Sequence, residues 1–309
     1  MSVLLLTHLA CLRHDPGPGH PESPERLRAL LRALDTEEFA LLIRAEAPLA
    51  TREQLGRVHP EAHISAMLDD RPGEGERFAV DADTILSEGS AEAALRAAGA
   101  AIAAVDAVCS GEIRHAFAAT RPPGHHAEPV QAMGFCLFCN AAVAARHAQA
   151  VHGLKRIGIV DFDVHHGNGT QACFVDDPNV FYGSSHQWPL YPGTGAESET
   201  GVGNIVNVGL PPGADGAAFR AAWADRILPA LDVFAPELII ISAGFDAHAR
   251  DPLAQIRARE ADFAWLTQEL CLIADRRCAG RVVSLLEGGY DLDGLALSAA
   301  AHLRVMMQH

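Results

Sequence analysis

Residues that can bind a metal ion or move protons follow four apolar runs of this sequence. The four groups are Arg121-Pro-Pro-Gly-His125-His126, Asp161-Phe-Asp163-Val-His165, Asp246-Ala-His248 and Glu287-Gly-Gly-Tyr290. In open parallel sheets, ligands bind at the carboxyl ends of the strands. Four polar groups that each follow an apolar run therefore predict a single active site at one edge of a sheet.

Asp163, His165 and Asp246 have the residue types of a metal site. Asp163 and His165 are two residues apart, so on an extended segment both side chains point to the same side. Asp246 ends a different run and completes a set of three ligands. Three protein ligands with one open position are typical of a catalytic metal ion. Two carboxylates and one imidazole suit zinc, although Fe(II) or another divalent ion accepts the same donors.

The tandem histidines His125 and His126 can supply general acid–base catalysis near neutral pH, with Asp161 as a candidate acidic partner. Tyr290, which follows two glycines, can present its hydroxyl to a developing oxyanion. Each of these features has a plainer interpretation when taken alone. Adjacent histidines are more often structural, an isolated Asp-x-His is more often a hydrogen-bonded loop pair, and a tyrosine after glycines is an ordinary turn residue.

Other chemistries and partners fit the sequence less well. The chain has neither a Gly-Lys-Ser/Thr phosphate loop, nor a Gly-x-Gly-x-x-Gly motif that opens a helix, nor a Gly-x-Ser-x-Gly nucleophile elbow. The formal net charge of −15 argues against nucleic-acid binding, which requires clustered Lys and Arg. The same charge favours cationic substrates weakly, and it equally suits a solvated acidic surface.

Short β-rich runs alternate with Ala- and Leu-rich stretches, which is the pattern of a parallel sheet covered by helices. The predicted strands are Val3–Thr7, His115–Thr120, Arg156–Asp163, Val180–Gly183, Ile205–Val208, Leu238–Ala243 and Val282–Leu286. The predicted helices are Pro24–Leu34, a long helix capped by Ser90 and ending at Gly111, Ala141–His152, Ala217–Phe234, Ala261–Asp275 and Leu295–Met307. No Pro/Gly/Ser-rich linker of useful length divides the chain, so we expect one α/β domain over residues 1–309.

The sequence also carries expectations about location. The apolar run Val3–Leu6 is short and reads as a first core strand rather than a signal peptide. No apolar stretch approaches the roughly 18 residues of a membrane span, so we expect a cytoplasmic protein without membrane contact. Seven scattered cysteines fit reduced thiols in the cytosol, and Cys136 and Cys139 are expected to be buried structural residues.

Five motifs together resemble the zinc-dependent histone deacetylases, and most closely their class II and bacterial amidohydrolase-like members. These motifs are Arg121-Pro-Pro-Gly-His-His-Ala127, Gly134-Phe-Cys136, Asp161-Phe-Asp-Val-His-His-Gly-Asn-Gly-Thr170, Ser242-Ala-Gly-Phe-Asp-Ala247 and Leu286-Glu-Gly-Gly-Tyr290. The similarity runs from His20-Pro-Glu22 to the C-terminal helix. It implies a three-layer, arginase/deacetylase-like α/β fold with a mostly parallel central sheet.

The resemblance also implies a role for each site residue. One catalytic zinc is held by Asp163, His165 and Asp246. His126 is the general base, His125 with Asp161 is its electrostatic partner, and Tyr290 is the oxyanion donor. The implied substrate-binding residues are Gly134, Phe135, Tyr191, Leu253, Gly288 and the rim carboxylate Asp83. Potassium is implied near Asp161, Asp163, His165, Ser184 and Ser185, with a second ion near Phe174.

Three residues depart from the usual family pattern. Tyr191 replaces a phenylalanine of the substrate tunnel, and its additional hydroxyl can change which acyl group fits. Asn168 matches the class II pattern and is expected to polarise His126 less strongly than an aspartate. Cys139 replaces an asparagine, and the sequence offers no physical account of that change.

The family acts on acetyl-lysine, acetylpolyamines and other acyl amines. Leu253 follows Asp251-Pro252 at the position where polyamine-specific relatives carry a glutamate. We therefore expect acetyl-lysine in proteins or peptides as the substrate, with acetylpolyamines or other small acyl amines as the alternative. A non-hydrolytic acyl-amine binding protein and a two-metal ureohydrolase are the other classes considered. A homo-oligomer is compatible with the sequence.

Overall fold

The computed structural model describes residues 3–69 and 72–309. Eight parallel strands form a central sheet, in the order β2-β1-β5-β10-β9-β6-β7-β8. Their bounds are β1 Val3–Thr7, β2 Ile43–Glu46, β5 His115–Ala118, β6 Ile157–Asp161, β7 Val180–Gln187, β8 Ile205–Leu210, β9 Leu238–Ala243 and β10 Val282–Leu286. Strands β3 Arg77–Ala79 and β4 Ile85–Ser87 form a separate antiparallel ribbon.

Helices cover both faces of the sheet. They are α1 Pro24–Ala33, α2 Arg52–Leu55, α3 Glu61–Leu68, α4 Ser90–Ser110, α5 Asn140–His152, α6 Asn168–Phe174, α7 Gly216–Ala222, α8 Leu228–Phe234, α9 Glu260–Arg277 and α10 Leu292–Gln308. Alternate strand residues pack on opposite layers because successive side chains of a strand point to opposite faces. In β1, Val3 and Leu5 join the core with α1, α9 and α10, whereas Leu4 and Leu6 join the core with α4 and α5. The predicted three-layer α/β class is confirmed.

All seven predicted strands are present, and the differences have physical causes. Strand β2 was not predicted because its four residues are all exposed and two are charged, so it lacks an apolar signal. Strand β7 continues to Gln187, beyond the predicted end at Gly183, because it is fully buried and pairs with both neighbours despite its polar residues. The predicted helix Ala217–Phe234 is interrupted by a π-turn at Trp223–Ile227. Pro229 explains the interruption, since it lacks the N–H that would bond to the carbonyl of Asp225.

Helix α4 corrects two expectations. The predicted cap Ser90 is the first helical residue; the cap position belongs to Gly89, and the Ser90 hydroxyl accepts a hydrogen bond from the Ser87 N–H. The 21-residue helix is also long and apolar enough to cross a membrane, so the expectation that no stretch approaches that length was wrong. Most of its apolar residues are buried against the sheet and α5, which is the position of a core helix.

Candidate metal and catalytic centre

The four polar groups of the sequence meet at one edge of the sheet. They follow β5, β10, β9 and β6, which are neighbours in that order in the middle of the sheet. Because these strands are parallel, their carboxyl ends lie side by side. The four groups, which lie between positions 121 and 290, are therefore brought together by the sheet itself. They meet at the carboxyl edge of the sheet, as predicted.

Asp163, His165 and Asp246 converge as a buried group, with one donor atom from each lying within 4.8 Å of the others. The His165 Nδ1 lies 3.0 Å from Asp163 Oδ1 and 3.1 Å from Asp246 Oδ2. Burial and the charge of Asp163 raise the pKa of Asp246 to about 7. Two buried carboxylates this close need a compensating cation if both are to be ionised. The donor set and its electrostatics therefore fit a bound divalent metal ion.

The chain reaches this geometry by a bend rather than the extended segment expected for Asp163 and His165. Strand β6 ends at Asp161, and the next residues turn sharply. The Asp163 N–H donates to Asp161 Oδ1 at 3.1 Å, and the His165 N–H donates to Asp163 Oδ1 at 2.9 Å. Each aspartate thus accepts from the backbone two residues later, which is the local turn that aspartate favours. This turn places the side chains of both candidate metal ligands on one side.

Gly288 supports the carboxylates instead of lining the substrate cavity as expected. Its N–H donates to Asp163 Oδ2 at 2.8 Å. A Cβ atom at this position would lie 2.1 Å from Asp246 Oδ2, so only glycine fits beneath the two aspartates. The close approach of the backbone is what places an N–H within reach of a ligand carboxylate.

The two histidines have different surroundings. His125 is buried beside the carboxylates, and its Nδ1 donates to Asp161 Oδ2 at 3.0 Å. Burial alone would lower the pKa of His125, but the charges of Asp163 and Asp161 raise it well above its usual value. Burial and the positive charges of His125 and His165 lower the pKa of His126 well below its usual value. These surroundings therefore favour the protonated form of His125 and the neutral form of His126.

Asn168 determines which nitrogen of His126 carries the proton. The amide of Asn168 donates from Nδ2 to Glu128 Oε1 at 2.8 Å, so its Oδ1 faces His126. His126 Nδ1 lies 2.8 Å from this oxygen and must donate to it, because an amide oxygen can only accept. The lone pair of neutral His126 therefore resides on Nε2, where it is available as a base.

Glu287, in the motif Leu286-Glu-Gly-Gly-Tyr290, organises the loop that carries the two histidines. Its carboxylate accepts hydrogen bonds from the N–H groups of Gly124 at 2.6 Å and His125 at 3.1 Å. Ser242 donates to its second oxygen at 3.3 Å. Burial raises the pKa of Glu287 to about 7 even though these donors and His125 favour its charge. Glu287 thus connects the loops that follow β5, β9 and β10.

Tyr290 is held by two residues that the sequence analysis did not select. The Arg26 guanidinium lies 4.9 Å from the centre of the Tyr290 ring and donates to the carbonyl of Gly289 at 2.6 Å. Asp251 accepts a hydrogen bond from the Tyr290 N–H at 2.8 Å. Burial raises the pKa of the Tyr290 phenol well above its usual value, so its hydroxyl keeps a proton to donate. A signal for Arg26 was available, since a charged residue lies four positions before Leu30 on the apolar face of α1.

A cavity of about 240 Å³ leads to this centre. The lining residues are Asp83, His126, Gly134, Phe135, His165, Leu190, Tyr191, Leu253 and Tyr290. Most of the expected substrate-binding residues are thus together, and Leu190 is an addition that no motif indicated. The rings of Phe135 and Tyr290 are 5.9 Å apart, and those of His126 and Tyr191 are 5.1 Å apart.

Phe135 enters the cavity through an unusual backbone. Both Gly134 and Phe135 have positive φ, at 56° and 69°. A Cβ on Gly134 would lie 2.4 Å from the His126 ring, so glycine is required there on two grounds. The Phe135 N–H donates to the Thr84 hydroxyl at 3.0 Å, which fixes the strained turn. Strained backbone of this kind is typical of functional sites.

The residues expected near potassium fall into two groups. Ser184 and Ser185 are buried in β7, where Ser184 pairs with Asp161 of β6 beside the turn that carries Asp163 and His165. The Phe174 carbonyl lies elsewhere and already accepts hydrogen bonds from the Asn204 amide at 2.9 Å and the Asp177 N–H at 3.0 Å. Both lone pairs of that oxygen are therefore used by the protein. This arrangement does not fit the second ion expected near Phe174.

Cys139, unexplained by the sequence, is fully buried as expected, and so is Cys136. The Cys139 sulfur lies 3.4 Å from the Thr170 hydroxyl, and the Cys139 N–H donates to His59 Nε2 at 3.0 Å. All seven cysteines are free thiols.

Comparison with known proteins identifies the family of this chain. The family model of the histone deacetylase domain matches residues 20–306. The chain is 39% identical to "Histone deacetylase 14, chloroplastic" of Arabidopsis thaliana, over 98% of this chain and 76% of that protein. It is 43% identical to "Histone deacetylase-like amidohydrolase" of Pseudomonas aeruginosa, over 88% of this chain and 73% of that protein.

A human relative and a solved structure extend the comparison. The chain is 40% identical to "Polyamine deacetylase HDAC10" of Homo sapiens, over 93% of this chain and 44% of that protein. The crystal structure of the HDA15 HD domain superposes with a TM-score of 0.94 at 37% identity, covering all of this chain and 88% of that one. Because the family model covers most of the chain and the relatives match nearly all of it, the chain belongs to the histone deacetylase family and is a deacetylase-type amide hydrolase.

Proposed function

We propose that this protein is a zinc-dependent deacetylase that hydrolyses the amide of N-acetylated amines, with acetyl-lysine in proteins or peptides as its substrate. One observation carries the proposal: His126, Tyr290 and His165 line the same cavity of about 240 Å³. A base, a hydroxyl donor and a metal ligand thus face one volume in which an acyl group fits.

Asp163, His165 and Asp246 would hold the zinc ion. When bound, zinc supplies Lewis-acid activation of water and of the amide carbonyl. His126 accepts the proton of the attacking water at Nε2 and then delivers it to the leaving amine. His125, fixed by Asp161 and positively charged, keeps His126 neutral before the reaction and stabilises the negative charge that develops during it.

Tyr290 completes the proposed mechanism on the other side of the carbonyl. Its hydroxyl stays protonated and donates a hydrogen bond to the carbonyl oxygen as negative charge develops there. Phe135 and Tyr191 hold the extended acyl-amine chain, and Asp83 at the rim binds the donor groups of the substrate. A non-hydrolytic binding protein would need neither a neutral His126 nor a hydroxyl donor, so these features favour hydrolysis.

Leu253 supports acetyl-lysine over an acetylpolyamine. It is 37% exposed at the cavity and places an apolar side chain where polyamine-specific members carry a carboxylate. A cationic polyamine gains nothing from leucine, whereas the backbone and side chain of an acetyl-lysine peptide can pack on it. The resemblance to a human polyamine deacetylase keeps acetylpolyamines as the second candidate.

Amine release from matched panels of acetyl-lysine peptides and acetylated polyamines tests the proposal. The zinc-loaded protein is expected to prefer the peptides and to lose turnover with a chelator. Leu253→Glu is expected to shift the preference toward polyamines, with Leu253→Gln as the uncharged control. Polyamine preference in the unaltered protein would overturn the substrate assignment, and equal turnover with and without chelator would overturn the metal requirement. Urea release with two ions in the catalytic centre would indicate a ureohydrolase.

Two further assignments belong to this proposal. A potassium ion beside the zinc-ligand turn, near Asp161, Ser184 and Ser185, would neutralise part of the buried negative charge. A cytoplasmic location fits the seven free thiols, because reducing compartments preserve them. Flame emission on dialysed protein and subcellular fractionation test these two assignments separately.

A further inference from the structure

A second group of metal-binding residue types lies far from the catalytic centre. Asp106 on α4 and His147 and His152 on α5 each place a donor atom within 4.8 Å of the other two. Both helices end shortly before strands begin, α4 before β5 and α5 before β6. The group therefore lies toward the amino-terminal edge of the sheet, whereas the catalytic centre is at the carboxyl edge.

The three side chains already converge on one point. The Nε2 atoms of His147 and His152 each lie 2.7 Å from the same oxygen, Oδ1 of Asp106. The His147 side chain is 6% exposed, whereas those of His152 and Asp106 are 24% and 49% exposed. One ligand is thus anchored in the protein while the others open to solvent, so an ion and a water ligand can enter from outside.

We propose that Asp106, His147 and His152 form a second divalent-metal site, with zinc as its ion. Two imidazoles and one carboxylate suit zinc and its transition-metal neighbours, whereas magnesium and calcium require oxygen ligands. Zinc bonds of about 2.0–2.2 Å in tetrahedral geometry separate the donor atoms by roughly 3.3–3.5 Å. The present separations of 2.7 Å need to open by only roughly 0.6–0.8 Å, which rotation of exposed side chains supplies.

Arg57 determines how easily this site accepts an ion. Its Nη1 lies 2.9 Å from His147 Nδ1, so this nitrogen accepts and Nε2 carries the proton toward Asp106. Zinc binding at Nε2 moves that proton to Nδ1, where it faces a guanidinium that can only donate. Arg57 must then turn toward Glu53, which already lies 3.5 Å away. Arg57 therefore opposes binding by about the energy of one hydrogen bond.

Ion counting separates this site from the catalytic centre. Asp163→Ala removes one catalytic ligand, and equilibrium dialysis against Zn²⁺ is expected to leave one ion on that variant. The double variant Asp163→Ala/His152→Ala is expected to bind none. His309→Ala is the matched control, because His309 lies 3.6 Å from Asp275 but the pair belongs to no group of three metal-binding side chains among residues 3–69 and 72–309. If Asp163→Ala binds no zinc, or if the double variant binds as much as Asp163→Ala, the second site does not exist.

Two further measurements do not depend on Asp163→Ala being folded. In the otherwise unaltered chain, His152→Ala is expected to weaken one zinc-binding step by more than the roughly 10–100-fold that outer partners of ligands contribute. Arg57→Gln is expected to tighten the same step by roughly threefold to tenfold, because glutamine can accept from Nδ1–H. Unchanged binding in His152→Ala, or equal or weaker binding in Arg57→Gln, would contradict the three-donor assignment.

Discussion

Asp251 couples two sides of the substrate cavity by holding Tyr290 and Leu253 through one carboxylate. Its Oδ2 accepts from the Tyr290 N–H at 2.8 Å, and its Oδ1 accepts from the Leu253 N–H at 3.0 Å. Tyr290 follows β10 and Leu253 follows β9, so this carboxylate joins the loops of two neighbouring strands. The relationship gives Asp251 a positioning role.

Asp251→Asn is expected to lower kcat by roughly 10–100-fold with little change in KM, because an amide can accept only one of the two hydrogen bonds well. Steady-state kinetics on the preferred acetylated substrate give the kcat and KM values. Zinc content should stay unchanged, since Asp251 is not a ligand. Asp293→Asn, an exposed residue paired with Arg250, is the control. A loss confined to KM would assign Asp251 to substrate binding instead of to the placement of Tyr290.

Tyr290→Phe removes one hydroxyl and keeps the ring against Phe135 and Arg26. Loss of an oxyanion donor typically costs about 10²–10³ in kcat, so a fall of that size is expected with full metal content. Tyr191→Phe removes the hydroxyl of the other tyrosine that lines the cavity and is expected to keep kcat within a few-fold. Near-normal turnover in Tyr290→Phe would remove this residue from the mechanism.

Gly288→Ala is expected to abolish binding of the catalytic metal without touching any ligand. The added methyl group would lie 2.1 Å from Asp246 Oδ2 and 2.6 Å from Asp163 Oδ2, so one carboxylate must move. Elemental analysis should show the loss of one ion per chain. Gly73→Ala, whose methyl group would meet only the flexible Glu76 side chain, is the control for glycine replacement. Full zinc retention in Gly288→Ala would contradict the placement of the two carboxylates.

The buried His302 predicts a loss of stability in acid. It lies between the hydroxyls of Thr267 and Ser284, and burial lowers its pKa to about 3. Below the unfolded value of about 6.5 the unfolded chain binds a proton that the folded chain refuses until about pH 3. The free energy of unfolding therefore falls with pH through this window, by up to about 1.4 kcal/mol per pH unit for this residue. The free energy of unfolding can be measured by denaturant titration at a series of pH values, with a chelator present. It should change less steeply with pH in His302→Gln than in the unaltered protein. An unchanged pH dependence would mean that His302 protonates in the folded state.

Because of Asn204, we expect potassium to have no effect at the position near Phe174 in the unaltered protein. Its Nδ2 lies 2.9, 3.1 and 2.8 Å from the carbonyl oxygens of Phe174, Asp177 and Val180. An amide group has two protons for these three acceptors, so a cation of the size of potassium could take its place if the side chain were removed. Asn204→Gly is expected to lose about 1–3 kcal/mol of stability and to recover part of it in potassium but not in lithium. Equal recovery in both salts would show that no cation replaces the amide.

The residues that the sequence located best are those in which chemistry and chain position coincide. The metal-ligand candidates, the tandem histidines and Tyr290 all follow strands with a clear apolar signal, so the strand pattern itself predicted their meeting. Gly288 was expected in the substrate cavity, but it lies beneath Asp163 and Asp246, where it leaves space for the two carboxylates. The residue type alone does not indicate which neighbours a glycine makes room for. Arg26 and Asp251 were missed because their contacts depend on loops separated by 39 residues or more along the chain.

Because each central strand coincides with an apolar run, the layer architecture was predictable. The local irregularities were harder to predict from the sequence. Strand β2 depends on pairing with β1 rather than on its own burial. The π-turn before Pro229 was not predicted, because the apolar periodicity of the helix does not indicate where its hydrogen bonding changes.

The catalytic centre draws its groups from strand ends spread between His125 and Tyr290, so more than half of the chain must be in place before all of these groups meet. No shorter fragment of this region contains both the histidine loop and Tyr290. Binding of the metal ion therefore depends on the whole tertiary structure. The release of this ion should coincide with global unfolding rather than precede it.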